Sequence, residues 1–248
     1  MKTFFTVFKM DFLGLLKNPV VIFINTAFIF LLTFILGSLN SSSYADGWMP
    51  YRYSLIVLIV YTMLNGCTTA SNCFLERKVQ RANLRVLMSP MRKRPFCLSK
   101  ITSSAIFNFC CHALVLVAGV LLFHLSAFAS NLGWFLLAMA PFEFASCTLG
   151  ILVCCLLRSE EATSSLLSMI IALLGILGGT FFSFDGMGKA LAFLSSLSPL
   201  HWLNTAMLAL FFDENVQILF PLLGTGILAS IILSVGTIKF FREETFLC

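Results

Sequence analysis

Histidine, cysteine and acidic side chains are the groups of this sequence that could carry out chemistry, and their spacing gives no catalytic motif. The three histidines, His112, His124 and His201, lie far apart, and neither a His-Glu-x-x-His nor a Gly-x-Ser-x-Gly motif is present. We interpret the histidines as hydrogen-bonded polar groups in packed or interfacial positions. The sequence therefore predicts no catalytic residue and no metal site.

One glycine-rich segment, Gly186-Met187-Gly188-Lys189, comes nearest to a loop that binds nucleotide phosphates. Such a loop needs a glycine five residues before its second glycine and a Ser or Thr after the lysine. Ser183 occupies the first of these positions, and an alanine follows the lysine. We therefore expect the chain to bind no cofactor and to hydrolyse no nucleotide by itself.

Nine cysteines could suggest a disulfide framework, but their positions favour free thiols. None falls in a segment that we expect outside the cell, and the two adjacent pairs point to opposite helix faces. We interpret them as small packing residues. Seven lie in apolar runs and the last two on the cytoplasmic side: Cys67, Cys73, Cys110, Cys111, Cys147, Cys154, Cys155, Cys97 and Cys248.

The composition sets the class of protein. Of the 248 residues, 59% are hydrophobic and 11% are charged, and the mean hydropathy is +0.96, which leaves too little polar surface for a soluble globule. The net charge of +5 is confined to short segments between apolar runs, which argues against nucleic acid as a partner. We expect an all-α integral membrane protein, because the apolar runs lack the alternation of barrel strands.

Stretches that lack Asp, Glu, Lys and Arg predict six membrane-spanning helices. About 20 apolar residues are needed to cross the hydrocarbon core. The third charge-free run, Ile101 to Phe142, is long enough for two crossings and is interrupted at Ser126 to Asn131. The predicted spans are Asn18–Ala45, Tyr53–Leu75, Ile101–Leu125, Leu132–Leu157, Ala162–Phe184 and Asn215–Ile238.

The segment before the last span, residues 185–214, does not fit a simple crossing. Its stretch Ala190–Phe212 lacks formal charge, but polar residues such as Ser195 and His201 crowd its centre, and Pro199 would break a straight helix there. We interpret this segment as an external helical hairpin, or a pair of short helices, that re-enters the outer leaflet.

The distribution of basic residues predicts the orientation. With six spans, all of the 16 Lys and Arg residues except Arg52 and Lys189 face one side. Basic residues accumulate on the cytoplasmic side. We therefore expect a multi-pass protein of the cell membrane, typical of a bacterial plasma membrane, with both termini in the cytoplasm.

Residues 2–17 precede the first span and show an amphipathic pattern. Phe5, Phe8 and Phe12 recur at helical spacing, while Lys9 lies elsewhere on the helix. We interpret the segment as an interfacial helix on the inner leaflet, with its lysines near anionic lipid headgroups. A cleaved signal peptide is the alternative, although both the basic lead and the apolar run are long for one.

The second cytoplasmic segment, residues 76–96, carries a dense run of basic residues. Before Pro90 it can form a short helix that projects from the membrane. A Ser-Pro turn, further basic residues and Lys100 at the start of the third span follow. An electrostatic anchor to inner-leaflet lipid is the simplest account of such a segment.

This order of features resembles the coupling-helix region of ABC-2 type permeases, the transmembrane subunits of ABC exporters. The segment Leu197–Asn204, Leu-Ser-Pro-Leu-His-Trp-Leu-Asn, is similar to the Ser-Pro-aromatic segment before the last helix of that family. The amphipathic lead and the six spans extend the resemblance over residues 1–248 as one transmembrane domain. A departure is Gln80–Ala82, where many members have Gly-Thr.

The resemblance implies a permease that docks its coupling helices onto separate cytoplasmic ABC ATPase subunits. It implies a dimer, formed with a second copy or with a related permease. ATP and Mg would be bound by the ATPase subunits, and a drug-like, peptide or lipid-like substrate would move outward. The residues expected to couple to the ATPase are Glu76, Arg77, Arg81, Leu84 and Arg85.

Two other classes of protein fit the sequence less well. A small channel or secondary carrier would need charged groups across several spans and an inverted repeat, and neither is clear. A membrane-embedded transferase would need a cluster of acid, base or metal ligands, which the sequence also lacks. An ABC exporter subunit remains the preferred interpretation.

Glu143 is predicted to lie well inside the hydrocarbon, where a charge costs about 2.5 to 3.5 kcal/mol on insertion scales. We expect it either to face the outer part of the substrate path or to bond to a neighbouring helix. Asn65 and Asn72 have the same two options, and for both we favour helix bonding. Gly175 and Gly179 lie one turn apart and predict a close-packing face, against a span of the same chain in preference to a dimer partner.

Overall fold

The computed structural model describes residues 2–41, 47–75, 77–87, 93–123, 131–181, 193, 195–213 and 216–241. Within these ranges the fold is all-α, without strands. A short 3₁₀ turn, Val216–Ile218, leads into the last helix. The helices are α1 (Lys2–Leu16), α2 (Pro19–Asn25), α3 (Ala27–Leu39), α4 (Met49–Leu75), α5 (Arg77–Leu87), α6 (Lys93–Leu122), α7 (Leu132–Leu157), α8 (Glu160–Leu177), α9 (Pro199–Phe212) and α10 (Leu219–Phe240).

Six helical stretches among the described residues are long and apolar enough to cross a membrane, which confirms the predicted number of spans. Each has at least 18 residues, close to the length that the hydrocarbon core requires. The stretches are Pro19–Leu39, Met49–Leu75, Arg94–Leu122, Leu132–Leu157, Glu160–Leu177 and Val216–Phe240.

Helix α4 forms the centre of the bundle. In its apolar window 78% of the residues are buried, against 22% for α8 and for the span that contains α10. α4 packs against α3, α6, α7 and α8, and Leu55–Val60 is a continuous buried run. Neighbouring helices, rather than lipid, therefore surround this part of α4.

The first span is broken in its middle. α2 ends at Asn25 and α3 begins at Ala27, with Thr26 between them at φ −133° and ψ −79°. The Asn25 amide donates to the Val21 carbonyl at 2.9 Å, and the Thr26 hydroxyl donates to the Ile22 carbonyl at 2.6 Å. Bonds of this kind bend helices, and they allow polar side chains at the break without unpaired donors in lipid.

The segment before the last span contains the short helix α9. Pro199 is its first residue, where the missing N–H costs no hydrogen bond, so the proline starts a helix instead of breaking one. The 14 residues extend about 21 Å, less than the roughly 30 Å of a hydrocarbon core. Asn131 donates to the Phe211 carbonyl and Asn204 to the Gly178 carbonyl, so α9 packs where α7 begins and α8 ends.

The fifth span ends earlier than predicted. α8 stops at Leu177, and Gly179 has a φ of 73°, a left-handed conformation that glycine adopts without steric penalty. Gly179 therefore lies in a turn, and the predicted packing pair with Gly175 does not share one helix face. Gly175 stays in α8, where an added Cβ would come within 2.7 Å of the Tyr61 ring of α4. Residues 182–192, which include the start of the predicted external segment, lie outside the described ranges.

Helix α7 is closely connected to two neighbours, to α8 by a short link and to α4 by a close backbone contact. Arg158 and Ser159 alone link it to α8; Arg158 has a φ of 56°, and the Ser159 hydroxyl accepts from the Ala162 N–H at 3.3 Å. Toward α4, a Cβ added to Gly150 would lie 2.0 Å from the carbonyl oxygen of Cys67. The backbones of α4 and α7 approach this closely because the residue is glycine.

Candidate functional site

Helix α5 lies at one end of the bundle, between the end of α4 at Leu75 and the start of α6 at Lys93. Its 11 residues are too few for a stable helix in water, so contacts with the rest of the chain must hold it. Leu84 is half-buried and packs against an apolar cluster that includes Phe74 and Phe96. The predicted coupling helix is thus attached to the membrane-spanning part by one apolar face.

Asn83 is the polar anchor of α5. It is fully buried, and its amide nitrogen donates to the carbonyls of Phe74 at 2.8 Å and Cys73 at 3.3 Å. These carbonyls belong to the last turn of α4, where the helix supplies no further N–H partners. A side chain of α5 therefore caps α4 and fixes how the two helices meet.

Lys100 of α6 is fully buried at the same place. Its ammonium donates to Asp11 Oδ1 at 2.6 Å, to Asn83 Oδ1 at 2.6 Å and to the Cys73 carbonyl at 3.3 Å, and it lies 5.6 Å from the centre of the Phe96 ring. All three of its donors are used, as burial of a charge requires. Asp11, Asn83 and Lys100 are named the coupling triad, and they join α1, α4, α5 and α6.

Asp11 brings α1 into this network. It is the acidic residue of an otherwise basic and apolar helix, and it is only 8% exposed. Burial raises the pKa of Asp11 above its ordinary value, while the charge and the hydrogen bond of Lys100 act in the opposite direction. Helix α1 is therefore held to the bundle by an ion pair as well as by apolar contacts.

The predicted ATPase-coupling residues are described to different extents. Glu76 lies outside the described residues, and only the backbone of Arg77 and Arg81, in α5, is described. Leu84 turns toward the bundle, whereas Arg85 is exposed. The exposed side of α5 at Arg85 is thus free of the membrane-spanning helices.

Sequence reasoning does not identify Asp11 or Asn83, and it identifies Lys100 only by its position at the start of a span. A lone acidic residue in an amphipathic basic helix could have signalled a buried partner, because a buried lysine needs a counter-charge. Nothing in the local pattern distinguishes Asn83, whose role depends on where α4 ends.

A second polar group lies in the middle of the bundle. Glu143 of α7 is 1% exposed, and its Oε1 contacts Nδ1 of His112 in α6. Within the described part of the chain, Glu143 Oε2, His112 Nε2 and Asn108 Oδ1 have no hydrogen-bond partner. A Cβ on Gly66 of α4 would lie 2.6 Å from the Asn108 amide nitrogen and 3.3 Å from Glu143 Oε2. Asn108, His112 and Glu143 are named the mid-membrane cluster.

The other two predicted path residues, Asn65 and Asn72, have different neighbours from Glu143. The Asn72 amide lies 3.2 Å from the Ser164 hydroxyl of α8, and Asn65 is half-buried beside Gly66. The partner that the structure gives Glu143 is His112, 31 residues earlier. A histidine and an acid near the centres of neighbouring spans are the signal that could have found this pair.

The whole arrangement can be compared with known families. The family model described as ABC-2 type transporter matches residues 2–212, from α1 to the end of α9. The chain belongs to the ABC-2 type transporter family. It is therefore a multi-pass permease subunit of an ABC transporter, and the family in general pairs with an ABC ATPase in a dimeric arrangement. No individual curated protein matches the chain.

The matched residues of the permease include the coupling triad and the mid-membrane cluster. Permeases of this family are transport subunits without an ATPase of their own.

Proposed function

We propose that this permease is the membrane-spanning subunit of an ABC exporter, which moves a hydrophobic or amphipathic molecule outward with ATP hydrolysed by a separate subunit. The coupling triad carries the proposal. It bonds α5, the helix expected to touch the ATPase, to α4 through Asn83 and to α6 through Lys100. In this scheme ATP and Mg²⁺ bind the partner ATPase, and the permease binds neither.

A displacement of α5 would reach two spans together. Asn83 caps the end of α4 and accepts from Lys100 near the start of α6, so the three helix ends move as one body. Because α4 is the central helix, its movement is transmitted to α3, α7 and α8, which pack on it. Closure of an ATPase against α5 would thereby shift the helices that surround the bundle core.

The basic end of the bundle is proposed to face the cytoplasm. α1, α5, the end of α7 near Arg158 and the end of α10 near Lys239 meet in one apolar cluster, whereas α9 packs at the opposite end, where α7 begins and α8 ends. Positive residues favour the cytoplasmic side, where the ATPase also lies. Both termini are then cytoplasmic, the lysines of α1 lie near inner-leaflet lipid, and α9 is on the outer side.

Glu143 is proposed to enter the substrate path when α6 and α7 separate. Its carboxyl is closed against His112 and lies beside Gly66 of α4. Buried polar atoms without partners cost free energy, and inside membranes they mark functional positions. Separation of α6 from α7 would free a carboxyl and an imidazole to bind a polar or cationic part of the substrate.

A second permease copy, or a related permease, is proposed to complete the transporter. The spans of α8 and α10 bury only 22% of their apolar windows within the chain, so most of their apolar surface is available to lipid or to a partner. Both a homodimer and a heterodimer fit this arrangement.

Co-purification with an ABC ATPase tests the proposal. A tagged permease extracted from its native membranes should recover an ATPase, and Arg85→Ala should reduce the recovery about tenfold or more, because interface arginines often dominate binding energy. Lys9→Ala, an exposed position on α1, is the matched control and should recover the ATPase normally. Absence of an ATPase from the parental sample, or equal recovery with Arg85→Ala, would contradict the proposal.

A further inference from the structure

Helix α7 contains a proline two residues before Glu143 of the mid-membrane cluster. Pro141 lies in the interior of α7 and has no N–H, so the helix lacks the hydrogen bond that would run to the Leu137 carbonyl. Its ring also crowds the preceding turn, which is why proline is a common cause of kinks. Pro141 divides α7 into an outer half, residues 132–140, which begins beside α9, and an inner half, residues 142–157.

The inner half of α7 is fixed to its neighbours by directional contacts. The Ser146 hydroxyl donates to the Leu64 carbonyl of α4 at 2.7 Å, and the backbones of the two helices meet at Gly150. On another side, the Thr237 hydroxyl of α10 donates to the Thr148 carbonyl at 3.5 Å. The inner half therefore has a defined position against both the central helix and the last span.

The outer half of α7 is joined to the short helix α9. Asn131, directly before α7, donates to the Phe211 carbonyl at 3.0 Å, and the rings of Phe135 and Phe211 meet edge to face with their centroids 5.5 Å apart. Toward α4, the outer half contributes Phe135 and Met139 to the central apolar cluster. Apolar contacts are non-directional, so they fix the outer half less strictly than the hydrogen bonds fix the inner half.

Helix α10 supports α7 at the proline itself. The Ser230 hydroxyl donates to the Pro141 carbonyl at 2.8 Å and also to the Gly226 carbonyl of its own helix at 2.8 Å. A Cβ added to Gly226 would lie 3.1 Å from the Pro141 ring, so a small residue gives the ring its space. Side chains that bond the backbone at a proline allow the interrupted helix to exist in lipid. α10 thus holds the point about which the two halves of α7 can bend.

We propose that Pro141 is a hinge at which the outer half of α7 swings away from α6 together with α9, while the inner half stays on α4 and α10. The swing opens a path from Glu143 to the outer side. α8 is bonded to α9 between Gly178 and Asn204 and can tilt with it, because only 22% of its apolar window is buried. The role of the hinge in export rests on the proposed transport function, whereas the motion belongs to the permease alone.

Two proline variants separate the hinge from a general effect of proline replacement. Pro141→Ala restores an N–H and removes the ring, so it should stiffen α7. Pro221→Ala is the matched control, because Pro221 lies in the first turn of α10, where N–H groups have no partner within the helix. Both changes remove the same atoms from a membrane-spanning helix, so a difference between them reports on the position of Pro141.

Spin-label distances in the purified full-length permease, measured in lipid nanodiscs by double electron–electron resonance, test the motion. The outer pair is Leu137 with Leu121 and the inner pair is Leu156 with Ile106, all exposed positions of α7 and α6. The labels are attached to a ketone-bearing amino acid, because native thiols such as the exposed Cys110 would react with a thiol label. We expect a broader distance distribution for the outer pair than for the inner pair. Pro141→Ala should narrow the outer distribution, and Pro221→Ala should leave it unchanged.

Equal widths for the two pairs in the parental protein would overturn the hinge, as would an outer pair that stays broad in Pro141→Ala. ATP-driven efflux by the complex with its ATPase tests the link to export. Pro141→Ala should lower efflux about tenfold, with the thermal midpoint and the recovery of the ATPase retained, and Pro221→Ala should not lower it. Efflux by Pro141→Ala at the parental rate would exclude the hinge from export. A parental complex without efflux would contradict the proposed transport function, and the spin-label widths would still decide the hinge.

Discussion

The coupling triad and the mid-membrane cluster are both buried pairings of an acid with a basic side chain, yet they differ in how fully their polar atoms are bonded. Lys100 directs its ammonium to three oxygen atoms on three other helices. His112 and Glu143 share one contact, and each retains a polar atom without a partner in the described residues, whereas in the triad only the acid does, at Asp11 Oδ2. The first pair closes the basic end of the bundle, and the second lies between the middles of α6 and α7.

The difference suggests two mechanical roles. A buried charge whose donors are all used resists separation, because removing one partner leaves the other uncompensated. A partly bonded pair gains less from staying closed, and other ligands can satisfy it when the helices part. The permease therefore combines a rigid joint below α4 and α6 with a weaker contact between α6 and α7.

Loss of the triad's cation should have the largest effect. Lys100→Met leaves the Asp11 carboxylate buried without a counter-charge, and breaking such a pair costs about 3 to 5 kcal/mol. We expect a large fall in the thermal unfolding midpoint of the purified permease and loss of the co-purified ATPase. Lys9→Met, at an exposed lysine of α1, should change neither. The double variant Asp11→Asn, Lys100→Met should be more stable than Lys100→Met alone; additive losses would refute the ion-pair account.

Crowding of the mid-membrane cluster should have an intermediate effect. Gly66→Ala places a methyl group 2.6 Å from the Asn108 amide nitrogen, and overpacking of this kind costs about 1 to 3 kcal/mol. The thermal midpoint should fall, but less than in Lys100→Met. Gly224→Ala, which meets open space, is the control. If Gly66→Ala and the control have the same thermal midpoint, the side chains of the cluster can move aside without a loss of stability, and the prediction is wrong.

Removal of the charge in the cluster should alter transport more than stability. Glu143→Gln keeps the shape and the hydrogen-bonding capacity of the side chain, so a contact with His112 can persist without the carboxylate charge. We expect a stability change below about 1 kcal/mol and a fall of about tenfold in ATP-driven efflux of a fluorescent amphiphile that the parental complex exports. Efflux at the parental rate would make Glu143 a structural residue. A fall in the thermal unfolding midpoint as large as that of Lys100→Met would show that the two sites do not differ in mechanical role.

The smallest effect should be the pH dependence of the triad. Burial raises the pKa of Asp11 above 3.8, so the folded permease binds this proton more tightly than the unfolded chain does. The resulting stabilisation is complete below about pH 4 and is lost as the pH rises through the raised pKa. The stability of the parental protein relative to Asp11→Asn should therefore fall with increasing pH. In the Lys100→Met background this fall in stability should extend to higher pH, because Lys100 no longer opposes the rise in the pKa of Asp11. A stability difference that does not change with pH would contradict the prediction.

The sequence predicts the spans well because each span must by itself be long and apolar enough to cross the hydrocarbon core. The start and end of α7 and the end of α4 at Leu75 agree with the predicted spans. The predicted end of the fifth span at Phe184 is wrong because apolar residues continue beyond the helix. The helix ends at Leu177, and the left-handed turn at Gly179 comes directly after it, although the sequence there stays apolar.

The contacts within the sites could not be predicted from the sequence. Asp11 and Lys100 are 89 residues apart, and their pairing depends on how α1 packs against α6. The sequence shows that a charge on Glu143 would be unfavourable in the hydrocarbon, but its partner His112 depends on which face of α6 is turned toward α7. Hydropathy reports whether a helix crosses the membrane and says little about which of its faces meet.

The two-residue link between α7 and α8 also constrains how the chain enters the bilayer during synthesis. Arg158 and Ser159 reach only about 7 Å, so the first turn of α8 is held at the membrane surface as soon as α7 has crossed. α8 has just 18 residues and a mean hydropathy of 1.5, against 1.9 for α7. We expect the pair to insert as one helical hairpin, with the more apolar α7 carrying both its own buried acid and its shorter neighbour into the membrane.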